Sequence, residues 1–317
     1  MKKILALAVT LAAAVSFSAC GSATPTPSTS AEPPASATTP ASAPAAGELG
    51  AEDNPIKIGV MGPEIQYDWL EAQAKEQGIY VKWTTFSDYP TVNPAVTNGD
   101  LDINQFQHIL YLAGYNVETG TPLAALQATA IYPLSLYSKQ YKSLAEIPNG
   151  AQIAIPNDET NQARAISVLA ANGLLTVKEG TDLLYATPLD IDEAASKAKV
   201  TPVAADQSAR TLDDPSVAGA VINNTYALDA DLDPKTAIAS DDPNDAGSAP
   251  FINIWAGKPE IKDNPWVAKL LELADSDEYG KLLLEQAKDS AVIVHKTYEE
   301  LQTILSDSET QLKAHAK

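Results

Sequence analysis

The sequence predicts an α/β fold with two lobes, and three observations carry that prediction. Apolar strands alternate with helices along two separate stretches of the chain, as they do in β-α-β units with parallel strands. Long, weakly polar extended runs at 124–137 and 251–255 are suited to cross between two lobes. The chain shows no internal repeat at a solenoid period, which excludes the repeat folds.

The N-terminal residues have the layout of an export signal. Lys2 and Lys3 precede a short apolar run at 4–15, and small residues lead to Cys20, the only cysteine in the chain. The run is shorter than the ~20 apolar residues of a membrane-spanning helix. The residues before Cys20 resemble a bacterial lipobox, so we predict a signal peptide at 1–19 and lipidation of Cys20, which would anchor the chain to a membrane.

The segment that follows Cys20 has the composition of a linker. Residues 20–53 are rich in Ala, Pro, Ser and Thr and contain almost no large apolar side chain. Such a stretch cannot bury enough surface to offset the entropy of ordering, so we predict that it is disordered. Beyond it we place the first part of lobe 1 at 54–130, lobe 2 at 131–248, and the return of lobe 1 with the C-terminal helices at 249–317.

The first half of the body predicts regular alternation of strands and helices. Gly78 is a suitable residue to end a helix, and Asn93 followed by Pro94 predicts an N-cap and a first helical position. The predicted elements are a strand at 56–60, a helix at 68–77, a strand at 79–84, a short helix at 93–99, a strand reaching 103 and a helix at 106–117.

The second half predicts the same alternation and ends in helices. Asn264 followed by Pro265 opens one helix, and Thr297 with Glu300 forms a capping box that opens the last. The predicted elements are a strand at 152–155, a helix at 159–172, strands at 187–192, 218–222 and 251–255, and helices from 265, over 277–287 and from 297.

Composition and missing motifs exclude several classes of function. The formal net charge of −20 argues against a nucleic-acid partner, whose phosphates need a basic face. Histidines occur only at His108, His295 and His315, far apart in the sequence, so we expect no metal site and no cofactor. The sequence lacks the glycine-rich nucleotide motifs and the nucleophile and zinc motifs of common enzymes. An enzyme that uses Asp, Glu or Tyr alone stays open, but no residue pattern marks one.

Four aromatic residues form the first candidate ligand contact. Phe106, His108 and Tyr111 are close in sequence, and the spacing from His108 to Tyr111 places both on one face of the predicted helix. With Tyr89 upstream they could form an aromatic cage. Each aromatic residue alone is more often part of a core, and His108 at a helix start could equally be a cap or a surface residue.

Polar residues beside helix and strand ends form the second candidate contact. Asn161 and Arg164 share a face near a helix N-terminus, where free N–H groups and a planar guanidinium suit a carboxylate. A solvated arginine paired with a neighbouring acid is the alternative. Asn223 and Asn253 lie at apolar strands, and if buried they need a partner, which is either backbone or a ligand.

Six separated stretches, in the right order, resemble the NlpA family of methionine-binding lipoproteins from about residue 56 to 287. No single stretch would be specific, but the set is. The stretches are FSDY at 86–89, GDLDINQFQH at 99–108, IPNDETNQAR at 155–164, LDD at 212–214, VIN at 221–223 and FIN at 251–253.

This resemblance implies a fold, a function and roles for the candidate residues. The implied fold is that of a periplasmic binding protein with a ligand cleft between its lobes, which close on the ligand by a hinge. The implied function is that of an extracytoplasmic, lipid-anchored substrate-binding protein that delivers L-methionine or a related amino acid to an ABC permease and its ATPase, without catalysis. In the implied site Arg164 grips the carboxylate, Asn161, Asn223 and Asn253 hold the amino-acid backbone, and Tyr89, Phe106, His108 and Tyr111 line the pocket for the thioether.

Departures from the family concern the pocket wall and leave alternatives open. The stretch at 61–67 is particular to this chain, and the tail from about 295 is longer than in the family. The same fold binding another amino acid, a methionine peptide or an organosulfur compound is therefore the first alternative. An adhesion or signalling lipoprotein is disfavoured by the polar set, and a hydrolase with paired acids by the lack of a nucleophile–base pair.

Overall fold

Two five-stranded sheets organise residues 43–315, which are the residues that the computed structural model describes. The elements are, in chain order, β1 Ile56–Val60, α1 Ile65–Glu76, β2 Val81–Thr85, α2 Val92–Asn98, β3 Ile103–His108, α3 Ile109–Thr119, β4 Ala124–Ala128, β5 Ala130–Ile131, β6 Ser135–Tyr137, β7 Ala151–Pro156, α4 Glu159–Ala171, β8 Ala198–Val203, β9 Val217–Ile222, α5 Asn224–Asp229, β10 Ala239–Ser240, β11 Asn253–Gly257, α6 Pro265–Ala274, α7 Asp277–Gln286, β12 Val292–Ile293 and α8 Tyr298–His315.

Each sheet combines parallel strands with antiparallel ones. The first has the order β2-β1-β3-β11-β4, in which β1 pairs in parallel with β2 and β3 while β11 is antiparallel to β3 and β4. The second has the order β10-β6-β9-β7-β8, in which β7 pairs in parallel with β8 and β9. The chain leaves the first sheet after β4 and returns to it at β11. The predicted two-lobed α/β fold is confirmed, and the lobe boundaries at 131 and 249 stay a prediction.

Separate apolar clusters support the two sheets. Ile58 and Leu70 belong to the cluster between the first sheet and helices α1, α6 and α7. Ile153 and Ile166 belong to the cluster between the second sheet and α4. Strands β1 and β7 are almost entirely buried because helices and neighbouring strands cover them, which explains their near-continuous apolar sequence.

Helix α8 packs against α3 and β4. Leu301 and Leu305 are buried against α3 and β4, and Gln302 Nε2 donates to the carbonyl of Ala125 at 2.7 Å. The predicted capping box is confirmed, because the N–H of Thr297 donates to Glu300 Oε2 at 2.9 Å and the N–H of Glu300 donates to Thr297 Oγ1 at 3.2 Å.

A buried amide network corrects the predicted start of α2. The helix begins at Val92, so Asn93 is not an N-cap but lies in the first turn with its side chain turned inward. Asn93 Nδ2 donates to Gln107 Oε1 at 2.7 Å, and Asn104 Nδ2 donates to Asn93 Oδ1 at 2.9 Å. The network gives hydrogen-bond partners to three buried amide side chains at once. This stabilises the fold more than a helix cap exposed to water would.

Two further predictions about strands are corrected by the structure. The strand expected to reach Ile103 instead begins there and continues through His108, because β3 lies between β1 and β11 and both neighbours pair with it. The strand expected at 187–192 is wrong: Pro188–Asp190 forms a 3₁₀ turn in which Asp190 accepts the N–H of Thr187 at 2.8 Å. The pattern also missed β8, whose Pro202 is tolerated because β8 is an edge strand.

The end of the predicted linker is part of the folded body. Ala51 is 4% exposed, and the N–H of Tyr80 donates to the carbonyl of Gly50 at 2.8 Å. The prediction of disorder is therefore wrong for residues 43–53, because Leu49 packs on the apolar cluster of the first sheet and the backbone of Gly50 pairs with Tyr80, just before β2. The signal peptide, Cys20 and the linker up to residue 42 lie outside the described residues. Among the residues described, no helix combines the length and apolarity needed to cross a membrane.

Candidate functional site

A single large cleft gathers the residues that the sequence singled out. It encloses about 960 Å³, including its opening to solvent; strands β3 and β11 of the first sheet form part of its wall, and helices α4 and α5, which follow strands of the second sheet, form another part. All eight predicted ligand-binding residues line it: Tyr89, Phe106, His108, Tyr111, Asn161, Arg164, Asn223 and Asn253.

Aromatic rings form one wall of the cleft. Tyr89 begins a 3₁₀ turn, and its ring centroid lies 5.7 Å from that of Phe106 on β3 and 6.0 Å from that of Tyr111 on α3. Tyr226 on α5 packs on the same ring at 4.9 Å. The tilted and edge-on ring geometries are those that aromatic pairs favour. The wall is apolar and polarisable, so it suits an aliphatic or sulfur-containing group.

His108 is a cap rather than a residue on a helical face. It precedes α3, and its Nδ1 accepts the N–H of Tyr111 at 3.0 Å. The neutral ring therefore carries its proton on Nε2, which lies 3.3 Å from Asn161 Oδ1. Burial, and then the charge of Arg164, lower the pKa of His108 to about 3. The predicted shared face with Tyr111 is wrong, because β3 extends to the histidine.

Three asparagines converge beside this histidine. Asp158 caps α4 by accepting the N–H of Asn161 at 3.0 Å, and the same carboxylate oxygen accepts Asn161 Nδ2 at 2.9 Å. Asn223 Nδ2 donates to Asn161 Oδ1 at 2.9 Å, and Asn223 Oδ1 is buried without a partner among the described residues. Asn253 at the start of β11 makes only a long hydrogen bond to the carbonyl of Phe251, at 3.4 Å. Asn223 lines the cleft, and its amide oxygen has unused acceptor capacity.

Arg164 lies on α4 and is 5% exposed. Its Nε donates to Asp241 Oδ2 at 2.6 Å, and its Nη2 donates to the carbonyl of Tyr132 at 2.8 Å. The guanidinium carbon lies 4.1 Å above the ring of Phe251. The alternative of a solvated arginine paired with a neighbouring acid is wrong, because Arg164 is buried and Asp241 lies 77 residues away in the chain. Its Nη1 makes no hydrogen bond within residues 43–315, and a carboxylate partner for it stays a prediction.

Sequence reasoning missed the acids of the cleft. Glu64 precedes α1, just beyond the carboxyl end of β1, and Asp229 ends α5, which follows β9. Burial raises the pKa of Glu64 to about 7, and Asp229 adds to this rise. The signal that could have found them is topological, because ligands bind beyond the carboxyl ends of parallel strands in α/β sheets.

Further polar residues complete the wall without forming a metal site. Tyr67 donates its hydroxyl to Gln105 Oε1, and Tyr132 brings both its ring and its carbonyl to the cleft. Within residues 43–315, no group of three or more His, Cys, Asp or Glu is placed to hold a metal ion. The site offers a guanidinium edge, an amide acceptor and an aromatic wall, which complement a carboxylate, an ammonium group and an apolar chain.

Comparisons with known proteins agree in family and fold. The sequence model of the NlpA lipoprotein family matches residues 56–295. The D-methionine-binding lipoprotein MetQ of Salmonella typhi is 39% identical over 236 residues, which cover 73% of this chain and 85% of that protein. The substrate binding protein of a methionine transporter from Streptococcus pneumoniae has a TM-score of 0.70 at 31% identity, over 76% of this chain and 95% of its own. A nutrient binding protein from Burkholderia cenocepacia bound to methionine has a TM-score of 0.69 at 38% identity, over 75% of this chain and 99% of its own.

Proposed function

Because the chain belongs to the NlpA lipoprotein family, we propose that it is the substrate-binding lipoprotein of an ABC importer and that its cargo is methionine. The observation that supports this most directly is the cleft itself. Its lining includes Arg164, whose Nη1 makes no hydrogen bond within residues 43–315, Asn223, whose Oδ1 has no partner there, and Tyr89. These groups complement the three parts of an amino acid with an apolar side chain. The family transports substrates, and we propose no catalytic step.

In the proposed complex each part of methionine has its own partner. The carboxylate accepts N–H groups of Arg164, which gives charge-assisted and geometrically specific hydrogen bonds. The ammonium group donates to Asn223 Oδ1, with Asn161 and Asn253 beside it. The thioether lies against the aromatic wall of Tyr89 and its neighbours, where a sulfur–ring contact is worth about 0.3–1.5 kcal/mol.

Hinge closure is the proposed mechanism of capture. Contacts already cross the cleft, since His108 of β3 reaches Asn161 of α4 and Tyr89 packs on Tyr226 of α5. A ligand that contacts both walls binds the closed form better than the open form and so shifts the population towards closure. The closed protein then presents a defined surface to the permease and its ATPase.

We further propose that lipidated Cys20 holds the protein at the outer side of the membrane. Lipoprotein relatives support an extracytoplasmic, anchored location, and the residues before Cys20 fit a lipobox. The segment between Cys20 and the body would then act as a tether. Labelling with a radioactive fatty acid, lost in Cys20→Ala, tests the anchor.

Calorimetric titration tests the cargo. The soluble body, freed of bound ligand by unfolding and refolding, is titrated with L-methionine and with D-methionine. We expect saturable one-to-one binding of at least one enantiomer that is lost in Arg164→Ala. Arg210→Ala is the matched control, because Arg210 is exposed and does not line the cleft.

The main alternative is the same site with a different cargo, namely another amino acid, a methionine peptide or an organosulfur compound. If neither enantiomer of methionine releases heat or raises the melting temperature, the methionine assignment is wrong. The ligand that co-purifies with the untreated protein would then be identified by mass spectrometry.

A further inference from the structure

Asp158 contacts Asn161, which lines the cleft, but Asp158 does not line the cleft itself. We propose that Asp158 is a positioning residue for the ligand's ammonium group. It fixes the orientation of the Asn161 side chain, and Asn161 in turn keeps the amide oxygen of Asn223 free to accept a hydrogen bond from the ammonium. This inference rests on the proposed function, because it concerns how the same site selects an amino acid.

The N-terminus of α4 is the first fixed point of this arrangement. The backbone N–H of Asn161 donates to Asp158 Oδ1 at 3.0 Å, so this oxygen is an acceptor. The side-chain amide of Asn161 approaches the same oxygen at 2.9 Å, and the hydroxyl of Thr160 does so at 3.3 Å. The amide atom that meets an acceptor oxygen must be the NH2 group. Asp158 therefore leaves the Oδ1 of Asn161 for other partners.

His108 is the second fixed point. The backbone N–H of Tyr111 can only donate, and it lies 3.0 Å from His108 Nδ1. Burial lowers the pKa of His108 to about 3, so the ring is neutral and carries its proton on Nε2, which lies 3.3 Å from Asn161 Oδ1. A backbone N–H thus fixes the polarity at each end, and both ends require the same orientation of the Asn161 amide.

Asn223 takes its orientation from Asn161. Asn223 Nδ2 donates to Asn161 Oδ1 at 2.9 Å, so that oxygen accepts two hydrogen bonds and its acceptor capacity is filled. Asn223 Oδ1 remains as an acceptor that is buried without a partner among the described residues. If the Asn161 amide were reversed, its NH2 group would point at Asn223, and Asn223 would have to offer that oxygen to Asn161 instead.

The chain of contacts from Asp158 through Asn161 to Asn223, here called the amide relay, accounts for a requirement for an ammonium group. A buried acceptor without a partner costs free energy, and a ligand that lacks a donor leaves this cost in place. An ammonium group instead donates a charge-assisted hydrogen bond to it. A preset acceptor therefore rejects an analogue without the amino group more strongly than an apolar pocket could.

The second carboxylate oxygen of Asp158 indicates which substitution preserves the amide relay. Asp158 Oδ2 is buried and has no partner among residues 43–315. In Asp158→Asn, the backbone N–H of Asn161 still requires an oxygen in the place of Oδ1, so the new NH2 group takes the place of an atom that made no hydrogen bond. The acceptor for the Asn161 amide is thereby retained.

Three substitutions of Asp158 separate the amide relay from the helix cap. Asp158→Ala removes both. Asp158→Ser keeps an oxygen that can cap α4, but this oxygen lies one bond closer to the backbone, so we expect it not to reach the Asn161 amide. Asp158→Asn keeps both. Asn264→Ala is the matched control, because it removes the cap of α6 and Asn264 does not line the cleft.

Calorimetry compares two ligands on each variant, and urea unfolding measures stability. The ligands are methionine, as the enantiomer that binds more tightly, and its deamino analogue 4-methylthiobutanoate. We expect Asp158→Ala and Asp158→Ser to weaken methionine binding about tenfold or more, and to change binding of the analogue less than about twofold. Asp158→Asn should keep methionine affinity within about threefold of the wild type. Asn264→Ala should lose stability without losing affinity.

The outcomes separate the amide relay from the proposed function. The relay is overturned, and methionine capture left standing, if Asp158→Ser binds methionine as tightly as the wild type. An analogue that loses as much affinity as methionine, or an Asp158→Asn variant as weak as Asp158→Ala, has the same meaning. Selective loss in the alanine and serine variants with rescue by asparagine supports the relay. If neither enantiomer binds the wild type, the proposed function is wrong and the relay is overturned with it.

Discussion

Replacing Arg164 separates a structural role from a binding role. The side chain donates through Nε to Asp241 and through Nη2 to the carbonyl of Tyr132; Arg164 also lines the cleft, and its Nη1 makes no hydrogen bond within residues 43–315. Arg164→Ala therefore removes both an internal ion pair and the proposed carboxylate grip. Asp241→Asn is the useful partner, because Asp241 Oδ1 also accepts the N–H of Leu134 at 2.8 Å and an amide oxygen can keep that hydrogen bond.

The structure gives the expected size of both effects. Breaking a buried ion pair costs about 3–5 kcal/mol, but Asp241 is 24% exposed and water recovers part of this. We therefore expect Arg164→Ala to lower the free energy of unfolding by about 2 kcal/mol. Loss of charge-assisted hydrogen bonds to the ligand carboxylate should weaken binding by about 3 kcal/mol, or roughly two orders of magnitude.

A double-mutant cycle distinguishes the two losses. Urea unfolding and calorimetry are measured for both single variants and for Arg164→Ala/Asp241→Asn. We expect the double variant to recover most of the lost stability, because no carboxylate is left unpaired, while its affinity stays low. Affinity that returns together with stability would refute the carboxylate grip, and so would an unstable Arg164→Ala that binds normally.

Three further changes test other parts of the structure. The pKa of His108 in the folded protein is about 3, below its usual value. The neutral ring therefore stabilises the fold above about pH 6.5, and this contribution, up to about 4 kcal/mol, is lost as the pH falls towards 3. His108→Gln should flatten that part of the curve of stability against pH, measured by urea unfolding. Leu305→Ala should cost about 2–4 kcal/mol because Leu305 of α8 is buried against the core, and an unchanged urea midpoint would show that α8 is not docked. Asn264→Ala should cost about 1 kcal/mol, because the side chain caps α6 by accepting the N–H groups of Trp266 and Val267, and Asn264→Ser should restore most of it.

Local chemistry made much of the fold predictable. Apolar runs mark β1 and β9 because both strands are buried, and Gly78 and Gly99 mark helix ends because each adopts a positive φ, at 74° and 84°. Asn264 marks the start of α6 because its cap depends only on neighbours in the chain. Features of this kind are set within a few residues, so the sequence alone determines them.

The candidate residues were also predictable, but their contacts were not. Motifs singled out Arg164 and Asn161, and the tertiary structure decided that Arg164 pairs with Asp241, which is far away in the chain. Glu64 and Asp229 carried no local signal, because a lone acid looks the same on a surface as in a cleft. Their position in the cleft is visible only in the folded chain, where the segments that follow β1 and β9 line one cavity.

The sequence by itself determined the α/β class, most element positions, the family motifs and eight residues that line the cleft. Only the tertiary structure decided that β3 continues to His108, that residues 43–53 join the body, and that Glu64 and Asp229 line the cleft. The physical reason is the range of the forces involved. Propensity, caps and periodicity act between near neighbours, whereas strand pairing, burial and desolvation of charge depend on residues that only folding brings together.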